Sequence, residues 1–310
     1  MIIPILLGAG LTYYQYNSFS NEQIVQMKRY FMTANYNYVL VSLAIAVLGC
    51  VFRAYRWKYT LGEIGTIPEF KLNFLAVCIG YFVNLTIPRS GEVSRALILK
   101  KYRDVPFDKV FGTIIAERIV DLLFLLLFVF SALLLEFDTL KNFLLLYIPV
   151  TKLAWLLAFG FGFFVWFLLL YRYSKWKYVL LFKSKIEGLK VGILSVLNMP
   201  NKWKFIFFTF LIWLSYVLMF YITVFSLEAT SNISLGTIMV AFVIGGLTMS
   251  FTNGGFGFFP VLIAKILFLY HIPLEAGNAF GWIIWTSQLL ITILLGVFSF
   301  SILPIVGKRK

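Results

Sequence analysis

Three arginines and three carboxylates stand in largely apolar surroundings: Arg89, Arg95 and Arg118 with Glu92, Glu117 and Asp121. Guanidinium binds phosphate through paired hydrogen bonds. A carboxylate beside it can orient it, receive an amino group or carry a proton. These residue types therefore suit recognition of a phosphate-bearing headgroup. In the run Asn84-Leu-Thr-Ile-Pro-Arg-Ser-Gly-Glu-Val-Ser-Arg95, Pro88, Gly91 and three charges directly follow an apolar stretch. Freed backbone and charge at that place need protein partners, water or a ligand, because lipid tails satisfy neither. In the helix expected from Val110 onward, Glu117 and Arg118 each lie one turn from Asp121. Arg118 and Asp121 alone would cost roughly 5 to 7 kcal/mol at the centre of a membrane helix, whereas each Leu, Phe or Val returns only about 0.3 to 0.6 kcal/mol. The charges are therefore expected to face protein or a wet cavity. Two readings stay open: an ion-pair cluster that fixes helix packing, and a polar pathway for a charged headgroup.

A second interruption, Thr252-Asn-Gly-Gly-Phe-Gly-Phe-Phe-Pro260, carries Gly254, Gly255 and Gly257, which let the backbone turn and allow close approach of another helix or a headgroup. A packing bend is the commoner use of such glycines. Asn253 is suited to satisfy freed backbone groups. Lys265, just beyond, is either a phosphate partner or a lysine that snorkels to the interface. Arg53, Arg56 and Trp57, at one-turn spacing, read as anchors at a membrane boundary rather than as ligands.

Several chemistries are excluded or unsupported. His271 is the single histidine, so a multi-histidine metal site is ruled out. So is a nucleophile scheme needing any other histidine. No Walker-type loop supports ATP hydrolysis. No cofactor and no metal are expected, and the chain reads as a non-enzyme. Cys50 and Cys78 lie inside apolar stretches and read as small hydrophobes rather than a disulfide framework.

The elements that position these residues follow from composition. Hydrophobic residues make up 61% and charged residues 13% of 310 positions, far beyond a soluble domain's usual apolar share of about 45 to 50%. Apolar blocks at about 2 to 17, 36 to 52, 72 to 88, 110 to 135, 152 to 171, 205 to 227, 235 to 251, 258 to 270 and 279 to 303 predict an all-α, polytopic membrane helix bundle. It forms a single integral-membrane domain over 1–310. Segments 18 to 35 and 175 to 200 read as interfacial amphipathic helices. The formal charge of +14 is explained by cytoplasmic loops, and nucleic acid is not an expected partner. Loop 172 to 204 is strongly basic and is expected in the cytoplasm, as are loop 89 to 109, the loop carrying Arg53, Arg56, Lys58 and Lys71, and Lys308-Arg-Lys310. All are satisfied together only if block 72 to 88 enters and returns to one side. The region 228 to 303 must then cross an odd number of times, either as three full spans or as a second re-entrant pair over 235 to 270 followed by one span; the second option makes two broken elements that approach the bilayer centre from opposite faces, as in inverted-repeat transporters.

The order Asn84, Pro88, Arg89, Gly91, Glu92, Arg95, then Glu117-Arg118 with Asp121, and the late Gly254 to Gly257 cluster, resembles the signature of the lysylphosphatidylglycerol synthase transmembrane-region family of flippase-like membrane proteins. The resemblance covers nearly the whole chain and implies a lipid translocase. In this reading an anionic or amino-modified phospholipid, or a lipid-linked headgroup, would be handled by Asn84, Arg89, Glu92, Arg95, Glu117, Arg118, Asp121, Asn253 and Lys265. Pro88, Gly91, Gly254, Gly255 and Gly257 would serve as breaks. The chain departs from the family where it often has Pro before the paired glycines and Glu shortly after; here Asn253 and Pro260 stand. The soluble aminoacyl-transferase domain of the name-giving members has no counterpart in these residues. The alternative is a membrane-embedded lipid-modifying enzyme or its non-catalytic scaffold. Expected partners are lipids with anionic headgroups, with a lipid-synthesising enzyme and a second copy of the chain left open. The expected location is a bacterial inner membrane, with the C-terminus cytoplasmic.

Overall fold

The computed structural model describes residues 2–87, 89–139, 141, 159, 162, 166, 169, 170, 172, 176, 196, 198–252 and 254–307. Among these the chain is all-α. Pro88, Asn253, the segment 308–310 and nearly all of blocks 152 to 171 and 175 to 200 lie outside the described residues.

The helices are α1 (Ile2–Ser18), α2 (Asn21–Thr33), α3 (Tyr36–Gly62), α4 (Phe70–Thr86), α5 (Ser90–Arg103), α6 (Phe107–Leu135), α7 (Lys202–Val224), α8 (Leu235–Phe251), α9 (Phe258–Leu269) and α10 (Leu274–Val306). Starts are fixed by local chemistry. Ser20 and Gln23 form a reciprocal capping box at α2. Asn35 accepts from the Asn37 amide at 3.1 Å ahead of α3, and Ser234 accepts from the Thr237 amide at 3.0 Å ahead of α8. Of these helices, α3, α6, α7 and α10 are long and apolar enough to cross a membrane. Large exposed apolar side chains on α6, Leu122, Leu126, Leu127 and Phe130 among them, mark a lipid-facing flank.

Between these long helices sit two antiparallel hairpins of short ones. In the first, α4 and α5 meet at Gly80 and Gly91, where a Cβ on Gly91 would run into the Gly80 carbonyl oxygen. The two ends of this hairpin lie together: Arg103 reaches Glu69 at 3.8 Å and donates to the Gly307 carbonyl, just past α10, at 3.3 Å. In the second hairpin, Gly245 of α8 faces Phe259 and Ile263 of α9. Helix α9 packs on the other half of α10, with Pro260 against Gly281 and Ala264 against Gly277. The hairpins therefore climb α10 from opposite ends. Their tips contact it through Phe82 at Gly296 and through Trp285, which donates to the Gly254 carbonyl at 2.7 Å. Those two levels are about 16 Å apart at a 1.5 Å rise per residue. Both elements expected to be broken are broken in this way.

A long–short–short–long order thus occurs twice, as α3 to α6 and as α7 to α10. The symmetry lies in topology, without any clear residue-level repeat. Of the three apolar cores among the described residues, two lie mainly one in each unit. One gathers Trp57, Leu61, Leu72, Leu99 and Ile114 with Leu303, and the other gathers Phe220, Phe242, Phe259, Ile263 and Phe280.

The structure corrects one block and the topology inferred from it. Helix α3 does not stop near 52 but continues to Gly62. From Val51 to Leu61 there is neither Gly nor Pro to end it, and its two arginines find carboxylates inside the bundle. Arg53 and Arg56 are therefore not loop cations and give no information on topology. The re-entrant course of α4 rests instead on the break at 87–89, where Arg89 takes φ 61°. The segment expected at the interface is α2, a helix without a fully buried residue. Met27, Tyr30 and Phe31 on it pack against the second core.

Gly91→Ala should lower stability by about 1 to 3 kcal/mol, the usual range for an inserted methyl that has no room. A thermal melt in detergent measures it, and an unchanged Tm would show that α4 and α5 are not held together at this crossing.

Candidate functional site

The polar cluster forms where α3, α5, α6 and α7 meet. Asp121 lies fourteen residues into α6, about 21 Å along it, well inside the apolar depth. It is the hub. The Arg56 guanidinium grips it with both terminal nitrogens, Nη2 at 3.1 Å from Oδ2, and Arg53 Nη1 adds a third contact at 3.1 Å. Arg118 Nη2 stands 3.5 Å away. One turn toward the start of α6, Glu117 receives Arg95 Nη2 at 3.0 Å and lies 3.7 Å from Arg56 Nε. Arg56 and Glu117 are wholly buried, and Arg53 and Arg95 nearly so.

Neutral groups complete the cage. Arg53 donates to the Tyr216 hydroxyl at 2.9 Å, which is 3.0 Å from the Tyr81 hydroxyl. Arg56 also donates to Thr209 at 3.3 Å. Arg95 lies over the Trp57 ring at 3.9 Å, a cation–π contact, and the Trp57 indole is fixed by its hydrogen bond to Thr113 at 3.1 Å. A guanidinium suits such a place because it binds carboxylate in two directions and stacks on rings.

Charge does not balance. Among the described residues, Arg53, Arg56, Arg95 and Arg118 pair with Glu92, Glu117 and Asp121, which leaves one positive charge in excess. Of the four arginines, Arg118 is the one that reaches the outside: its side chain is 38% exposed in the seam between α5 and α6. Its Nε is 3.8 Å from Glu92. Neither that Nε nor Glu92 Oε2 has a hydrogen-bond partner. Glu92 sits in the first turn of α5, whose N-terminus adds its own partial positive charge.

The structure thus brings together Glu92, Arg95, Glu117, Arg118 and Asp121 of the residues singled out in the sequence. The others go elsewhere. Asn84 holds the hairpin, accepting from the Gly91 amide at 2.7 Å. Arg89 is exposed at the break. Lys265 is exposed on α9 and makes no ion pair with the cluster. Gly254, Gly255 and Gly257 all take positive φ, and Gly257 lies against the Gly8 backbone of α1, where a Cβ would have no space. This second break is built around packing.

Arg53, Arg56 and Trp57 are the correction: they are buried members of the network, not boundary anchors. Their one-turn spacing was the signal, and the absence of any helix breaker before Gly62 tells that spacing apart from an interfacial one. Tyr81, Thr209 and Tyr216, polar side chains in the middle of apolar runs, were a weaker signal of the same kind.

The family model described as lysylphosphatidylglycerol synthase TM region matches residues 1–296. A UPF0104 membrane protein of Methanocaldococcus jannaschii is 32% identical over 100 residues, covering 31% of this chain and 30% of that relative. The chain thus matches less than a third of that relative's length. No solved structure matches.

Proposed function

We propose, for a chain that belongs to the lysylphosphatidylglycerol synthase TM region family and is an integral membrane protein, that it moves lipids with anionic headgroups across the bilayer. The observation that carries this is the excess positive charge of the buried cluster, which reaches the exterior through Arg118. A half-exposed guanidinium carrying that excess charge is a ready partner for an anion, and a phosphate at the α5–α6 seam would neutralise it. Arg118 and Glu92 are the contact residues in this reading. Arg53, Arg56, Arg95, Glu117 and Asp121 hold the site in shape. The two hairpins support the same reading, because each turns a helix N-terminus, that of α5 and that of α9, toward the middle of α10 from opposite sides. Broken helices that point their N-termini at a midplane site are the usual construction for anionic cargo.

Orientation follows from charge. Lys58, Lys71, Lys100, Lys101, Arg103 and Lys109 all lie at the end of the bundle where α10 finishes. That bias favours placing this end, and the C-terminus with it, in the cytoplasm. The site then opens toward the inner leaflet.

The test is a vesicle assay. Reconstituted protein should speed the transbilayer exchange of labelled phosphatidylglycerol well beyond that of labelled phosphatidylcholine. Equal rates for every headgroup would sink the proposal.

A further inference from the structure

Tyr81 of α4 and Tyr216 of α7 carry one hydroxyl hydrogen more than the cluster can use. Their oxygens lie 3.0 Å apart, and Tyr216 accepts from Arg53 Nη2 at 2.9 Å. Among the described residues neither hydroxyl has another partner. Each phenol offers one hydrogen, and the single bond between the two hydroxyls uses only one of the pair. The other is left without a protein acceptor. Donation from a guanidinium polarises the Tyr216 O–H and makes it the better donor, so the hydrogen left over is that of Tyr81. An unmade bond away from water costs free energy, and the group that would complete it is an acceptor.

The place of the pair narrows the acceptor. Tyr81 packs with the first apolar core and Tyr216 with the second, so their bond crosses the polar gap between the two units. Both side chains are half-buried. Arg53 holds the two together: its guanidinium lies over the Tyr81 ring at 5.6 Å, and its Nη1 meets Asp121 Oδ2 at 3.1 Å. Arg118 reaches that same oxygen at 3.5 Å. The cluster therefore lacks one negative charge while Tyr81 lacks one acceptor, and a phosphate oxygen supplies both.

We infer that the Tyr81 hydroxyl is a second donor to the phosphate of the lipid headgroup held by Arg118, aimed by Tyr216 and Arg53. This rests on the reading of Arg118 as the headgroup contact and adds to it a residue of the first hairpin.

Lipid retained by purified protein tests it. Native mass spectrometry and thermal melts in detergent are run with phosphatidylglycerol, with phosphatidylcholine, or with inorganic phosphate alone, on the wild type and on Tyr81→Phe, Tyr216→Phe and Arg118→Gln. Tyr81→Phe removes one oxygen and keeps the ring. Its retention of phosphatidylglycerol should fall about tenfold, the size of one hydrogen bond to a charged acceptor. The rise in Tm that this lipid gives should shrink in parallel, while the Tm without lipid stays at the wild-type value. Tyr216→Phe leaves the Tyr81 hydroxyl in place and should do the converse, lowering the Tm without lipid and keeping most of the retention. In the wild type, phosphatidylglycerol should also shift a tyrosine C–O band in the infrared difference spectrum, a signal that needs no variant. Wild-type retention in Tyr81→Phe, or an unchanged infrared spectrum, would overturn the inference; if Arg118→Gln still loses the lipid, Arg118 stands as the headgroup contact. Equal retention of phosphatidylcholine by the wild type would overturn both. An equal rise in Tm with inorganic phosphate would make this a site for a free anion and overturn the lipid assignment.

Discussion

Asp121→Asn should destabilise the protein by about 3 to 5 kcal/mol, the usual consequence of removing one partner from a buried ion pair. Asp121 touches Arg53, Arg56 and Arg118, and its side chain is only 10% exposed. Neutralising it doubles the excess charge of the cluster, from one positive charge to two, in a place where water does not reach. The amide keeps the shape and can still accept one hydrogen bond, so the loss would be electrostatic rather than a cavity effect. Thermal unfolding in detergent measures it, beside a double variant, Arg56→Met with Asp121→Asn, which returns the cluster to its original net charge. The double variant should recover part of the lost stability. An Asp121→Asn protein that melts like the wild type would show that the network does not hold α3, α6 and α7 together.

Arg118→Gln should show the opposite balance: cost only about 1 kcal/mol of stability, for a half-buried side chain that pairs with Glu92 and Asp121, and reduce translocation of phosphatidylglycerol tenfold or more. The charge count accounts for both halves. Without Arg118, three arginines face three carboxylates and the cluster is neutral overall, so the loss is confined to the pairing of Glu92 and one of the three contacts to Asp121. What disappears is the exposed guanidinium in the α5–α6 seam. A phosphate loses its paired hydrogen bonds there, worth about 1.5 to 3 kcal/mol for a charged partner, which corresponds to a factor of ten or more. Arg118→Lys should recover only part of the rate, since an ammonium lacks the planar fork. Full activity in Arg118→Gln would move the headgroup site elsewhere.

Membership of the family was legible in the sequence, because it rests on residues in fixed order: Asn84 through Arg95, then Glu117, Arg118 and Asp121. The breaks at 87–89 and 252–257 were legible as well, since a bilayer tolerates charge and glycine within an apolar run only where the helix is interrupted and its backbone meets protein or a cavity. The function of individual residues was less so. Asn84, placed with the candidate cargo site, accepts from the Gly91 amide and so holds the first hairpin, while the late glycines, expected as a break, take positive φ with Gly257 at a helix crossing.

Arg53 and Arg56 show where the sequence stops and the tertiary structure begins. The residues alone specify a bundle of membrane helices with two interruptions, because the bilayer imposes length, apolarity and backbone satisfaction on each segment separately; that the interrupted segments fold back as hairpins comes from the packing of α4 on α5 and of α8 on α9. The demands of the bilayer are local constraints. Whether an arginine near a helix end reaches into the headgroups or turns inward depends on what stands opposite it, and Asp121 stands opposite from a position 65 residues away. Only packing α3 against α6 and α7 brings that carboxylate, Thr209 and Tyr216 within reach. The charge balance likewise arises on assembly, and with it the identity of the arginine that reaches the seam, since an excess charge belongs to the packed cluster and to no single segment.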